Sequence, residues 1–113
     1  MKGLELPREE AIRTLNDRLR REDLGGSVVI TAGVAALGPE MVMRVREAVE
    51  LFDTFTADND PYGEHDFGIV QVDGVTFYWK IDYYDSSLEF GSEDPADPDE
   101  TTRVLTILRS NEY

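Results

Sequence analysis

The sequence predicts an α+β fold in which two or three helices pack on a small, mainly antiparallel sheet. Three observations lead to this prediction: two segments with helical spacing of apolar residues, a hairpin signal at Asp73-Gly74, and short runs of strand-forming residues. A chain of 113 residues fits one hydrophobic core. We therefore expect a single domain over residues 1–113, with residues 1–6 as a frayed N-terminus.

Two segments show the apolar spacing of amphipathic helices. The first begins at Pro7 and ends before Gly25, with Arg20 near its C-terminal end, where cations are favourable. The second begins at Pro39 and runs to about Phe55. The apolar stripes consist of Ile12, Leu15 and Leu19 in the first helix and of Met41, Val45, Val49 and Phe52 in the second.

Strand-forming residues predict the sheet. Residues 27–31 are a short β-branched run, and residues 66–72 and 75–83 flank Asp73-Gly74, a dipeptide typical of a tight hairpin turn. A further short strand is expected at residues 88–90. Apolar residues alternate along the second hairpin strand, so we expect one of its faces to lie in the core. That face holds Phe77, Trp79, Ile81 and Tyr83, while Tyr78 and Tyr84 point outward.

The C-terminal segment allows two interpretations. Asp97, followed by Pro98 and by Glu100 three residues later, forms a helix N-cap pattern. This pattern predicts a helix over residues 102–109. The run from Val104 to Leu108 is rich in β formers and favours a strand instead. We expect the helix, with the strand as the alternative.

The chain is strongly acidic, with 24 Asp and Glu against 11 Lys and Arg and a net charge of −13. Such a chain repels nucleic acid and anionic membranes, so we expect neither direct nucleic-acid binding nor membrane binding. The acids are concentrated, because residues 47–102 hold sixteen of them and a single base, Lys80. Since buried unpaired charge is costly, the folded protein should carry a broad negative face.

The longest stretch without a base predicts a protein-binding surface. Eight acids lie between Lys80 and Arg103. Surface carboxylates can present charge as DNA phosphates do, and charge complementarity speeds association. We therefore expect a binding or inhibitor protein that acts on a basic surface, for example as an anti-defence factor directed at a nucleic-acid-handling host protein. An antitoxin or immunity-type role fits equally well. The predicted face consists of Asp82, Asp85, Glu89, Asp94, Asp97, Asp99 and Glu100.

A polar loop offers an alternative site of a different class. Residues 58–66 hold the one histidine of the chain among several acids, and they begin like a calcium-binding loop. That pattern fails at Tyr62 and at Ile69, where an oxygen ligand and a bidentate Glu are required. A small metal-dependent enzyme or ligand-binding protein with a weakly held divalent cation is the alternative, and turn-forming residues explain the same loop. Its candidate residues are Asp58, Asp60, Tyr62, Glu64, His65 and Asp66.

The remaining composition limits the chemistry and the compartment. The chain has no cysteine, so disulfides, thiolate metal ligands and cysteine nucleophiles are excluded. No catalytic residue stands out, and we expect a binding protein without a cofactor rather than an enzyme. The N-terminus lacks a signal-peptide pattern, and no apolar run reaches the roughly 20 residues that span a bilayer. These features predict a cytoplasmic protein.

Three motifs in order resemble a known bacterial group. They are DNDPYGEHDFG at residues 58–68, WKIDYYD at residues 79–85 and DPADPDETTRVLTI at residues 94–107, followed by a terminal NEY. Together they resemble domain-of-unknown-function family 3768, over about residues 15–113. The resemblance implies a short stand-alone protein of proteobacterial genomes, often near mobile-element or plasmid genes, and it carries no assigned chemistry.

Overall fold

The structure, a computed structural model, describes residues 6–113, so most of the segment expected to fray lies outside the described residues. Four strands form one sheet in the order β1-β4-β3-β2, in which β1 is parallel to β4 and the other neighbours are antiparallel. The predicted α+β class with a mainly antiparallel sheet is therefore confirmed. The elements are α1 (Arg8–Glu22), β1 (Ser27–Ile30), α2 (Ala32–Ala35), α3 (Pro39–Leu51), β2 (Phe67–Val72), β3 (Val75–Tyr84), β4 (Thr102–Arg109) and a 3-10 turn (Ser110–Glu112).

The core lies between the helices and one face of the sheet. Phe77, Trp79 and Ile81 alternate along β3 and are buried, as the sequence predicts. Val45 and Val49 of α3 pack against this face, and α1 adds Leu19. Gly68 of β2 is needed for close packing, because a Cβ there would lie 2.4 Å from Nε1 of Trp79.

The opposite face of the sheet, called the open face, is covered only at one place in the described part of the chain, where the C-terminal 3-10 turn and Tyr113 lie against β3. Pairing register places Phe67, Lys80 and Thr106 in one row across this open face. The rings of Phe67, Tyr78 and Tyr113 pack there at tilted and edge-to-face angles, with centroids 5.1–6.3 Å apart. The open face is thus partly apolar.

The predicted hairpin is confirmed. Asp73 and Gly74 form its two-residue turn with φ values of 52° and 79°. Both residues of such a turn need the left-handed region, which Asp and Gly tolerate. Arg44 of α3 binds the Asp73 carboxylate, with Nη2 2.8 Å from Oδ1, and so ties the turn to the helix layer.

The second helix is shorter than predicted, because α3 ends at Leu51 rather than at Phe55. The buried guanidinium of Arg20 ends it. Its Nη1 donates to the carbonyls of Val49, Glu50 and Phe52 at 2.8–3.1 Å, so these free C-terminal carbonyls are bound by a side chain of α1.

The predicted C-terminal helix is wrong, because residues 102–109 form β4, which lies between β1 and β3. Buried Arg103, Leu105 and Ile107 alternate along it, so the segment has the period of a strand. The N-cap pattern before it instead forms turns, with the Asp99 amide donating to Oδ1 of Asp97 at 2.9 Å. Pairing with two neighbouring strands outweighs a local capping signal.

The short strand expected at residues 88–90 is also absent from the described structure. The chain turns there instead. Asp85 Oδ1 accepts from the amide and hydroxyl of Ser87, and Leu88 has a φ of 63°. A residue in the left-handed region cannot continue a strand.

Candidate functional site

The segment between β3 and β4, residues 85–101, is called the acidic connector here. Its first half is a closed loop on the end of β3. The Asp85 amide donates to the carbonyl of Phe90 at 2.8 Å, and the Ser92 amide donates to that of Tyr83 at 2.9 Å. Hydrogen bonds from Ser87 are the main reason that the pKa of Asp85 lies below its usual value. The loop therefore has a defined shape and holds its carboxylate charged.

The second half of the acidic connector is fixed to the body of the protein. The Thr101 hydroxyl donates to the carbonyl of Asp94 at 2.7 Å and lies 2.7 Å from the hydroxyl of Ser92. Arg103 of β4 donates to the carbonyl of Pro95, and Arg8 of α1 pairs with Asp94 at 3.0 Å. These bonds place the acidic turns at one end of the sheet.

Two large apolar side chains project from this acidic loop. Leu88 is 57% exposed and Phe90 is 69% exposed. Phe90 also forms one wall of a surface hollow of about 420 Å³. The rest of the hollow is lined by Asp85, Ser86, Gly91, Glu93, Asp99 and Glu100. An aromatic ring beside four carboxylates is suited chemically to a cationic side chain.

The structure brings together only part of the predicted acidic face. Asp85, Asp99 and Glu100 line the hollow, and Glu89 is exposed on the loop beside it. Asp82 lies on the open face of the sheet and is bound by Lys80. The sequence-based prediction omitted Glu93, which lines the hollow, and it did not include the exposed Leu88 and Phe90.

Three acids of the acidic connector approach one another closely. Asp94, Asp97 and Glu100 each have a carboxylate oxygen within 4.8 Å of the other two, and the described residues hold no other such group of acidic or histidine side chains. The Asp58–Asp66 loop, the alternative place for a weakly held cation, does not gather its oxygens in this way. Asp94 already carries the Arg8 ion pair.

The Asp58–Asp66 loop is held by one face of α1. Arg13 donates to the carbonyl of Gly63 at 3.0 Å, and Asn16 donates to that of Glu64 at 3.0 Å. Inside the loop, the His65 amide donates to Oδ1 of Asp60 at 3.1 Å. Backbone carbonyls and amides of the loop are thus used to dock it. Tyr62 and Asp58 are both exposed.

His65 lies between two carboxylates. Its Nδ1 is 2.9 Å from Asp17 of α1, and its Nε2 is 3.7 Å from Asp60. The ring stacks on Phe55 at 3.6 Å with an interplanar angle of 5°. A histidine held by a carboxylate is an arrangement that proton-transfer sites use, and it also serves to fix a loop.

A buried polar network links this loop to the centre of the sheet. Asn16 donates to the hydroxyl of Tyr83 at 2.8 Å and accepts from Nε of Arg103 at 2.9 Å. The Tyr83 hydroxyl in turn donates to Glu64 at 3.0 Å. Burial is the main cause that raises the pKa of Tyr83 well above its usual value. The guanidinium of Arg103 lies 5.3 Å from the Tyr83 ring centroid.

Sequence reasoning missed this network. Asn16 occurs four residues after Ile12 and three before Leu19, so it falls within the apolar stripe of α1, and that position was the available signal. Burial is also the main cause that raises the pKa of the neighbouring Asp66, with the charge of Glu64 second. The carboxylates of the Asp58–Asp66 loop thus differ in burial, since Asp58 is exposed and Asp66 is partly buried.

Fold and site together define a small α+β protein whose distinctive surface is an acidic loop with two exposed apolar side chains. The chain belongs to the family described as "Protein of unknown function (DUF3768)", which matches residues 30–112. This confirms the resemblance seen in the three motifs. No curated protein and no solved structure matches the chain. Within the described residues, the helices are too short or too polar to cross a bilayer.

Proposed function

We propose that this chain is a binding protein whose acidic connector docks on a basic surface of a protein partner. The observation that carries the proposal is the exposure of Leu88 and Phe90 on a loop that holds seven acids and no base between residues 85 and 100. Protein interfaces are enriched in aromatic side chains inside a polar rim, and a few buried side chains supply most of the affinity.

The electrostatics favour a basic partner. Four carboxylates line the hollow beside Phe90, and the chain as a whole carries a net charge of −13. A field of one sign accelerates the encounter with a surface of the opposite sign, and added salt weakens that effect. A lysine or arginine of the partner entering the hollow would contact both the ring and the carboxylates.

The shape of the loop supports the same proposal. Backbone bonds at Asp85 and Ser92 close it, and Ser87 binds the Asp85 carboxylate at 2.6 Å. A surface that is already ordered loses less conformational entropy when it binds. The loop therefore presents its two apolar side chains in a fixed arrangement.

The partner class we propose is a nucleic-acid-handling protein, since such proteins carry basic surfaces that a run of carboxylates would occupy. An anti-defence role for a mobile element is the form of this proposal that the family resemblance favours. An antitoxin or immunity-type partner would use the same surface, and the identity of the bound protein separates the two.

The test is a pull-down from a bacterial lysate at low and at high salt, with the captured proteins identified by mass spectrometry. One bait carries Asp85→Asn, Glu93→Gln, Asp99→Asn and Glu100→Gln. A second bait carries Phe90→Ser alone. We expect one protein with a basic surface to bind the native bait and to be lost at high salt and with both variants.

A matched control bait neutralises four exposed acids on the helices, Glu22, Glu40, Glu47 and Glu50. It has the same net charge as the connector variant but an intact acidic connector. It should retain the partner. Equal loss with both four-acid variants would mean that only total charge matters, and binding that survives every variant and high salt would reject the proposal.

His65 supports a second candidate, a small enzyme or ligand-binding protein that uses the Asp58–Asp66 loop. The specific observation is that one histidine ring faces both Asp17 and Asp60 while remaining 21% exposed. Under this alternative, Mg²⁺, Mn²⁺, Ca²⁺ or Zn²⁺ raises the melting temperature, and His65→Ala abolishes that increase without unfolding the protein. The absence of any shift with these ions would count against it.

A further inference from the structure

Strand β2 is an unprotected edge of the sheet. It is the last strand in the order β1-β4-β3-β2, and it pairs on one side with β3. Its sequence, FGIVQV, holds neither a charge nor a proline. Natural proteins usually protect exposed edges with charged residues, proline or a covering segment, because an open edge pairs readily with another strand.

The register shows which backbone groups face outward. The Ile81 amide donates to the carbonyl of Asp66 at 2.9 Å, so these opposite residues are a hydrogen-bonded pair. Bonded and non-bonded pairs alternate along antiparallel strands. The N–H and C=O groups of Phe67, Ile69 and Gln71 therefore point away from β3. Within residues 6–113 they have no backbone partner.

These three residues form a self-complementary edge. In an antiparallel pairing of two copies centred on Ile69, Ile69 lies opposite Ile69 of the second copy and Phe67 lies opposite its Gln71. All three residues then exchange backbone hydrogen bonds across the dyad. A two-fold axis requires this kind of symmetric match.

Charge decides what can lie on this edge. From residue 67 to residue 72 the strand carries no charged side chain, although the chain as a whole has a net charge of −13. Asp73, the acid that directly follows the C-terminal end of β2, is already bound by Arg44. A charged peptide would find no counter-charge along the strand, whereas a neutral strand of equal length matches it. The strand β2 of a second copy is such a strand.

Exposed apolar side chains lie on and beside this edge. Ile69 is 49% exposed on the open face. Two hollows of about 380 Å³ and 350 Å³ border β2, with Phe52 in the wall of the first and the exposed Leu51 in that of the second. A second copy beside β2 would cover Ile69 and bring its own Leu51 toward these hollows.

We propose that two copies of this chain associate through antiparallel pairing of their β2 strands, which joins their sheets into one eight-stranded sheet. This dimer does not involve the acidic connector. The connector runs from the end of β3 to the start of β4, and neither of these strands is the edge strand β2. The dimer leaves the connector of each copy free. Its dependence on salt is opposite to that of the proposed partner binding, since salt screens the repulsion between two acidic copies.

The test is sedimentation velocity of the purified chain over about a hundredfold range of concentration, at low and at high salt. We expect a monomer–dimer equilibrium that shifts toward dimer at high salt. Ile69→Lys should raise the dissociation constant by at least about tenfold, because it places two like charges at the dyad. Gln71→Lys provides a second variant on the same edge, and circular dichroism confirms that both remain folded.

The matched control is Val29→Lys. Val29 is 42% exposed on the same open face, but it belongs to β1 at the opposite edge of the sheet. It changes the net charge equally and should leave the dimer intact. Amide exchange adds a direct reading, because the amides of Ile69 and Gln71 should exchange slowly in the dimer and rapidly in the Ile69→Lys variant. A chain that stays monomeric at every concentration, or a dimer that Val29→Lys disrupts and Ile69→Lys does not, would overturn the proposal.

Discussion

At the scale of single residues, buried polar side chains determine how the parts of this protein fit together. Arg20 binds three carbonyls at the end of α3 and also pairs with Asp17 at 3.1 Å. Its guanidinium lies 5.4 Å from the ring centroids of both Phe55 and Trp79. The sequence predicts only a cation near the end of α1, since nothing local reveals that α3 ends against it. The spacing of apolar residues along the chain does not predict contacts between residues that lie far apart in sequence.

Replacing Arg20 should be strongly destabilising. Arg20→Leu leaves three carbonyls at the C-terminal end of α3 without their donor and removes the ion pair with Asp17, which keeps only its contact with His65. The expected loss in free energy of unfolding is about 3 kcal/mol. Arg18→Leu is the control, because Arg18 is exposed on the same helix and should change stability little. Urea unfolding followed by circular dichroism measures both. A loss for Arg20→Leu no larger than for Arg18→Leu would contradict this role.

At the scale of elements, the structure follows apolar periodicity more closely than local capping signals. The hairpin of β2 and β3 was predictable, because the turn residues Asp73-Gly74 and the alternation along β3 agree. Strand β4 was not predicted, because the N-cap pattern before it indicated a helix. The alternation of buried residues along β4 arises from its position between β1 and β3, which the local sequence does not show. Residues 88–90 failed as a strand for a related reason, since the Asp85 carboxylate forms a local turn.

The end of β4 is joined to α2 by one carboxylate. Glu112 accepts hydrogen bonds from the Arg109 amide at 2.8 Å, the Thr31 hydroxyl at 2.7 Å and the Gly33 amide at 3.2 Å. The bond from Arg109 is the main cause that lowers the pKa of Glu112, followed by the bond from Thr31. A lowered carboxyl pKa contributes stability above the unfolded-state pKa, and that contribution is lost as pH falls through the folded-state pKa.

Glu112→Gln should therefore lower the melting temperature at neutral pH. The difference in melting temperature between the variant and the native chain should disappear as the pH falls below the ordinary pKa of a glutamate, about 4.3. The native side chain then also loses its charge. Thermal unfolding across this pH range measures the difference, with Glu22→Gln at the exposed end of α1 as the control. A difference that does not depend on pH would mean that the charge of Glu112 does not contribute.

At the scale of the whole molecule, the protein separates its surfaces by charge. The acidic connector carries seven acids at one end of the sheet, while the β2 edge carries none. The sequence predicts the acidic segment, because a folded domain must keep most of its carboxylates on the surface. It does not predict that Leu88 and Phe90 project from that segment beside Glu93, because this arrangement depends on how the loop closes on β3.

This separation gives the two proposed surfaces opposite responses to salt. Binding of a basic partner to the acidic connector should weaken as salt rises, and pairing of β2 edges should strengthen. The two proposals can therefore fail independently.

The central claim is that the acidic connector is the partner-binding surface, and amide exchange of the chain with and without its recovered partner tests this most directly. We expect exchange to slow on binding at residues 85–92 and to stay unchanged along α3, which holds the control acids Glu40, Glu47 and Glu50. Protection confined to α3 or to the Asp58–Asp66 loop, with the acidic connector unchanged, would contradict the claim.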